Sequence, residues 1–226
     1  MKRIVVGISG ASGFPLAVCL LKELKKIPEV ETHLVFTYGA ELTAKQESGM
    51  DAVQIRALAD VCYENSNIGA AIASGTFLTE GMIILPCSMK TVSGIAHGFS
   101  ENLLLRAADV TIKERRNLVL AVREMPLSPI HLENMLTLSR LQNVYIMPPM
   151  VTYYMKDDET AAESVDDPGK DFLQLAQNED EAFTCSSTKQ GGSEKKSLQV
   201  SDMERHIVGK LLQPFGIEIE GFRRWS

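Results

Sequence analysis

Five short apolar runs mark this 226-residue chain at residues 2–8, 31–37, 81–86, 117–122 and 143–147. They constrain its fold more than any other feature. Each is only long enough for a strand buried on both faces. All but the last lead into stretches with helical spacing of apolar residues. Leu16, Leu20, Leu21 and Leu24 define a helix over 14–26, and weaker patterns fit 40–48 and 51–59. Residues 88–97, 103–115 and 126–140 read as further helices. Strands alternating with helices predict an α/β chain, with a parallel sheet covered by helices on both faces.

Composition then limits the function. No run approaches the roughly 20 apolar residues that cross a bilayer. The short N-terminal run, broken by Gly7, Ser9 and Gly10, lacks the form of a secretory signal, so a cytoplasmic protein with no membrane partner is expected. The net charge is −6. Residues 156–200 carry eleven acidic side chains and five lysines, while the rest of the chain carries eighteen acidic and eighteen basic ones. There is no basic stripe for nucleic acid. The stretch 156–200 is too polar to bury a core and reads as a long mobile insert in a single domain spanning 1–226. A helix is expected after it, over 202–213. Cys19, Cys62, Cys87 and Cys185 form no CxxC pair, and His33, His97, His131 and His206 have no ligand spacing, so no metal is expected.

Three segments at predicted strand ends carry side chains suited to chemistry. Gly7-Ile-Ser-Gly-Ala-Ser-Gly13 joins the first strand to the first helix. Its glycines allow close backbone approach to an anion, the helix start offers free amides, and Ser12 adds a hydroxyl. The spacing is GxxGxxG, which is neither the dinucleotide fingerprint nor a Walker loop, and a tight turn without ligand is the alternative. Pro86-Cys-Ser-Met-Lys-Thr91 follows the third strand. Ser88 there is either a ligand contact or a helix N-cap, Met89 either a contact or packing, and Cys87 more plausibly inert than nucleophilic. Arg123-Glu124 leaves the fourth strand, where an arginine and a carboxylate together can clamp a phosphate and move a proton. Arg106, Lys113, Arg115 and Arg116 lie just upstream, and for Arg115 and Arg116 a solvated helix face is the plainer reading.

Taken in order, GISGASG, Ser74-Gly-Thr-Phe77, LPCSMKT, LLLRAADVTIKERR, VREMPLSPIHLENML and MPPM-V-T-Y-Y resemble the flavin prenyltransferase family. That family includes the UbiX proteins and the B subunits of hydroxyarylic acid decarboxylase systems. The resemblance covers residues 1–155 and resumes at about 202. It implies a flavodoxin-like (Rossmann-type) three-layer fold, and a homo-oligomer, typically a dodecamer. The implied reaction transfers a dimethylallyl group from dimethylallyl phosphate to N5 and C6 of reduced FMN. The product, prenylated FMN, serves a UbiD-like decarboxylase of (hydroxy)aromatic acids.

By the same resemblance, Gly10, Ala11, Ser12 and Thr37 hold the phosphate side of FMN, while Ser88, Met89, Lys90, Thr91 and Arg123 line the flavin. Arg106, Lys113, Arg123, Glu124, Tyr154 and Lys210 surround the prenyl phosphate. Ser12, Glu47, Lys113 and Glu124 take the catalytic roles, with Glu47 assisting proton removal. Lys210 stands where the family commonly has Arg, which loses the bidentate fork. The His-Arg/Asn-Pro linker that usually follows the tyrosine is replaced by the polar insert. Two other functions fit the same motifs: direct FMN-dependent decarboxylation of phenolic acids, and non-catalytic flavin carriage within a decarboxylase assembly.

Overall fold

A computed structural model describes residues 1–149 and 202–222. The expected insert at 156–200 and Tyr154 lie outside them. A parallel sheet forms from β1 (Lys2–Ile8), β2 (Val30–Phe36), β3 (Val61–Tyr63), β4 (Gly81–Cys87), β5 (Asn117–Val122) and β6 (Val144–Ile146), ordered β3-β2-β1-β4-β5-β6. The helices are α1 (Phe14–Leu24), α2 (Tyr38–Ser48), α3 (Ala52–Arg56), α4 (Met89–Ala96), α5 (Leu103–Lys113), α6 (Pro129–Ser139) and α7 (Asp202–Leu212). Without the edge strand β3, the order is that of a flavodoxin-like sheet.

Side chains alternate across each strand and feed two separate cores. Ile4, Val6 and Ile8 of β1, with Leu34, Phe36, Ile83 and Leu85, pack under α1 and α7. Val5, Val35, Met82, Ile84, Leu118 and Leu120 pack under α4 and α5 on the other face. Burial on both faces explains why β1, β4 and β5 read as continuous apolar runs rather than alternating ones.

The strand β3 is absent from the sequence reading. It has three residues, all half-buried, and pairs only with β2. Helix α5 also ends at Lys113 rather than 115, because Arg115 takes a left-handed conformation at φ 54°. Its carbonyl accepts the Asn143 side-chain amide at 2.8 Å. No glycine announces that stop.

The order of winding reverses between β1 and β4: β2 and β3 lie to one side of β1, and β5 and β6 lie beyond β4. Loops leaving the two central strands therefore part, and a crevice opens at their C-terminal ends. Among the described residues no helix is long and apolar enough to cross a membrane.

Candidate active site

Ser9 fastens the two central loops at this crevice. Its Oγ donates to the Pro86 carbonyl (3.0 Å) and accepts the Ser88 amide (2.8 Å). The loop after β1 also meets the start of α2. A Cβ built on Gly10 would lie 2.9 Å from the Gly39 carbonyl carbon, so the two backbones cross where no side chain fits. Thr37 caps α2, its Oγ1 accepting the Ala40 amide at 3.2 Å.

Glu47, on the last turn of α2, reaches back to the start of α1. Its carboxylate accepts the Gly13 amide at 3.0 Å and the Phe14 amide at 2.8 Å. The free amides expected at this helix start are thus already engaged by an internal anion, which the positive end of the helix favours. Burial pushes the Glu47 carboxyl up, but the Ser12 hydroxyl, the two amides and the Arg123 charge outweigh it and hold the group below its ordinary value. A Cβ on Gly13 would lie 3.8 Å from Arg123 Cδ and 3.9 Å from Pro86 Cβ. The ends of β1, β4 and β5 and the α2 helix therefore bring Ser12, Glu47, Arg123 and the Pro86–Ser88 turn together.

Ser88 caps α4: its Oγ accepts the Thr91 amide (3.4 Å) and lies 3.1 Å from Thr91 Oγ1. Both readings of this residue are compatible, since the cap stands at the crevice. Met89 and Thr91 are buried, Met89 within the core below α4, and Lys90 is exposed. Glu124 is exposed beside Arg123, its Oε1 accepting the Met125 amide at 3.1 Å. Cys87 is fully buried, and burial pushes its thiol far up, as an inert core residue requires.

Within one chain Lys113 and Lys210 lie toward the start of β5, away from this crevice. Helix α5 begins beside Asn65, whose carbonyl accepts the Leu103 amide, and ends beside Gly75, with Lys113 paired to Glu114. Lys113 thus sits at the start of β5 and Arg123 at its end. Arg106 pairs with Asp109 at 2.7 Å in the first turn of α5. Lys210 is exposed and donates to Gln213 at 2.8 Å. The turn after α7 is held at the start of β5 by Asn117 Nδ2 donating to the Pro214 carbonyl at 2.7 Å.

One residue escaped the sequence reading and another was read differently. Ser9 was missed, because its partners lie more than seventy positions away. Arg116, expected on a solvated helix face, instead turns its guanidinium inward and donates to the Gly75 and Phe77 carbonyls at 2.7 and 2.9 Å and to Thr79 Oγ1 at 3.2 Å. It anchors the SGTF segment instead of lying on a solvated face. Among the described residues, no group of three His, Cys, Asp or Glu side chains is placed to hold a metal ion.

Several acids have lowered pKa values, which gives a pH prediction. Hydrogen bonds from Arg3 and His33 lower Glu31. Burial pushes Asp60 up, but the Thr32 amide and hydroxyl outweigh it. With Glu47, these groups bind protons less readily folded than unfolded, so their stabilisation is complete above the unfolded carboxyl range and is lost as pH falls through the folded values. The urea midpoint is expected to fall as pH drops from about 5 to about 3, and Glu47→Gln to make that fall shallower. An equal fall in both proteins would remove Glu47 from the acid response.

Comparison with known proteins gives this rim a family. The Flavoprotein family model matches residues 1–167. A probable UbiX-like flavin prenyltransferase of Sedimentibacter hydroxybenzoicus is 42% identical over 224 residues, covering 99% of this chain and 97% of the relative. The structure of AnUbiX (PadA1) with FMN and dimethylallyl pyrophosphate superposes with a TM-score of 0.77 at 35% identity, covering all of this chain and 97% of that one. A dodecameric FMN-dependent Ubix-like decarboxylase from Escherichia coli O157:H7 gives 0.76 at 40% identity, covering both chains completely. Motif order, strand order and full-length similarity agree, and the chain belongs to the Flavoprotein family, among the UbiX-like flavin prenyltransferases.

Proposed function

We propose that this chain transfers a dimethylallyl group from dimethylallyl phosphate to N5 and C6 of reduced FMN, yielding prenylated FMN for a UbiD-like decarboxylase of (hydroxy)aromatic acids in the cytoplasm. The observation that carries the reading is the meeting of Ser12, Glu47, Ser88 and Arg123 at the switch point of the sheet. The crevice suits FMN chemically. The Gly10–Gly39 crossing keeps its wall free of side chains, hydroxyls of Ser12, Thr37 and Ser88 offer hydrogen bonds, and Arg123 supplies positive charge. Gly10, Ala11, Ser12 and Thr37 would hold the phosphate side, and Ser88, Met89, Lys90, Thr91 and Arg123 the ring side. Bound reduced FMN supplies the electron-rich atoms that accept the allyl group.

The protein's own residues then manage charge and protons. When the allyl carbon–oxygen bond breaks, the electron pair leaves with phosphate, and Arg123 stabilises that charge as it grows. Arg106, Lys113, Lys210 and Tyr154 complete the phosphate cage in this reading. Since Lys113 lies at the far end of β5 from Arg123, a second copy of the chain supplies it, in keeping with the dodecameric relative. Helix α6 and the loop before it leave Met125, Leu127, Ile130, Leu132 and Leu136 exposed beside Glu124, an apolar surface for such a copy. Joining the five-carbon unit to both N5 and C6 with a single leaving group would require one proton to be placed on its remaining double bond and another to be taken from C6, and Glu124 or the departed phosphate would give the first and receive the second. Glu47 has both oxygens engaged and a lowered pKa, so its part is to hold Ser12 and face Arg123 with negative charge.

Purified protein mixed anaerobically with reduced FMN and dimethylallyl phosphate is expected to give a flavin heavier by one five-carbon isoprenoid unit, with an altered absorption spectrum. Carbon dioxide released from a phenolic acid by the chain alone would instead establish direct decarboxylation. Tight FMN binding with neither product would establish a carrier.

A further inference from the structure

One buried hydroxyl at the crevice has no part in the chemistry above. Ser9 is 1% exposed. Besides the two bonds of its Oγ, its amide donates to the Pro86 carbonyl at 3.1 Å. Three hydrogen bonds therefore join the residue after β1 to the last residues of β4 and to Ser88, the cap of α4. Their location matters because the strand ladder stops short of it. The β1–β4 pairing runs from Ile4 opposite Gly81 to Gly7 opposite Ile84 and goes no further. The β4–β5 register then shifts between Ile84 and Cys87. Past Ile84, regular pairing to β1 no longer sets how far the Pro86–Ser88 turn stands from the Gly10–Gly13 loop.

We propose that Ser9 is a positioning residue that sets this separation, placing the Ser12 and Ser88 hydroxyls at the distance the flavin nucleotide requires. The inference rests on the FMN reading of the crevice. Ser9 acts through others: it is buried, and its hydroxyl donates to one loop while accepting from the other. Its hydroxyl hydrogen serves the Pro86 carbonyl and a lone pair takes the Ser88 amide, so alanine would leave that amide without this acceptor. The first turn of α4, which Ser88 caps, would then lose its fixed entry point.

The test uses Ser9→Ala and Ser9→Thr in the full chain. The readouts are FMN affinity by quenching of flavin fluorescence, KM for dimethylallyl phosphate, thermal unfolding, and hydrogen exchange at the Ser88–Thr91 amides of ligand-free protein. Ser9→Ala is expected to weaken FMN binding about 10-fold, the scale of one or two lost hydrogen bonds. It should also speed exchange at Ser88–Thr91 and leave KM for the prenyl phosphate within about twofold. Ser9→Thr, which keeps the hydroxyl, should restore affinity and protection. A lower melting temperature with unchanged FMN affinity and unchanged exchange at Ser88 would overturn the proposal and leave Ser9 a general stability residue. If Ser9→Ala yields no folded protein, Ser9→Cys, similar in volume and weaker in hydrogen bonding, is judged by the same readouts. Failure of the unmutated protein to bind FMN would sink the reading of the crevice, and the exchange comparison would still decide whether Ser9 fixes the turn.

Discussion

Arg123→Ala is expected to slow formation of the prenylated flavin by about 10³-fold, the upper scale for losing a charged group aimed at a growing anion. The residue leaves β5 beside Gly13 and Pro86, and its charge acts on Glu47. Removing it takes away the cation whose charge acts on Glu47 at this crevice. The loss should fall mainly on the turnover rate if the charge is needed when phosphate departs, and on KM if it only holds the ground state. The variant also tests how the site is shared. Lys113 sits at the opposite end of the same strand. If a second copy supplies it, Arg123→Ala and Lys113→Ala subunits dissociated, mixed and reassembled should regain roughly a quarter of the sites, since each site then draws one intact residue from each kind of subunit. Absence of any regained activity after verified mixing would show that both residues serve within one chain.

Glu124→Gln is expected to leave FMN binding intact and to slow product formation by about 10²-fold, the usual scale for a lost proton-transfer group. The amide is similar in size and can still accept the Met125 N–H, so the loop keeps its anchor. What it cannot do is take the proton released at C6. Turnover equal to that of the unmutated protein would remove Glu124 from the mechanism and leave the departed phosphate as the acceptor.

The layered architecture was legible because burial on both faces leaves a plain mark: short unbroken apolar runs such as residues 81–86, each leading into helical spacing. Strand β3 left no such mark. Three half-buried residues at an edge carry too little pattern to stand out from a loop. Helix α6 was placed three residues early because its start is set by Ser128 and His131, whose side chains reciprocate on each other's backbone amides. That box usually carries Glu or Gln at its third position, and histidine hides it. The rim loops were visible as strand ends bearing glycine, serine and arginine. Contacts among them were not. Glu47 is thirty-four positions from Gly13, and nothing local in α2 says that its carboxylate caps another helix. Arg116 looked like one more charge in KERR until the fold brought the 75–79 segment under it.

The crossing of Gly10 over Gly39 bears on how such chains can be recombined. Each glycine clears space for the other's backbone, so the pair behaves as one inherited unit although the codons lie well apart. A chimera whose junction falls between them, taking the opening segment from one parent and the next from another, works only when both parents leave that gap bare. Exchanges made after residue 48 inherit the pair intact, and in directed-evolution libraries built from relatives those breakpoints should be over-represented among the survivors.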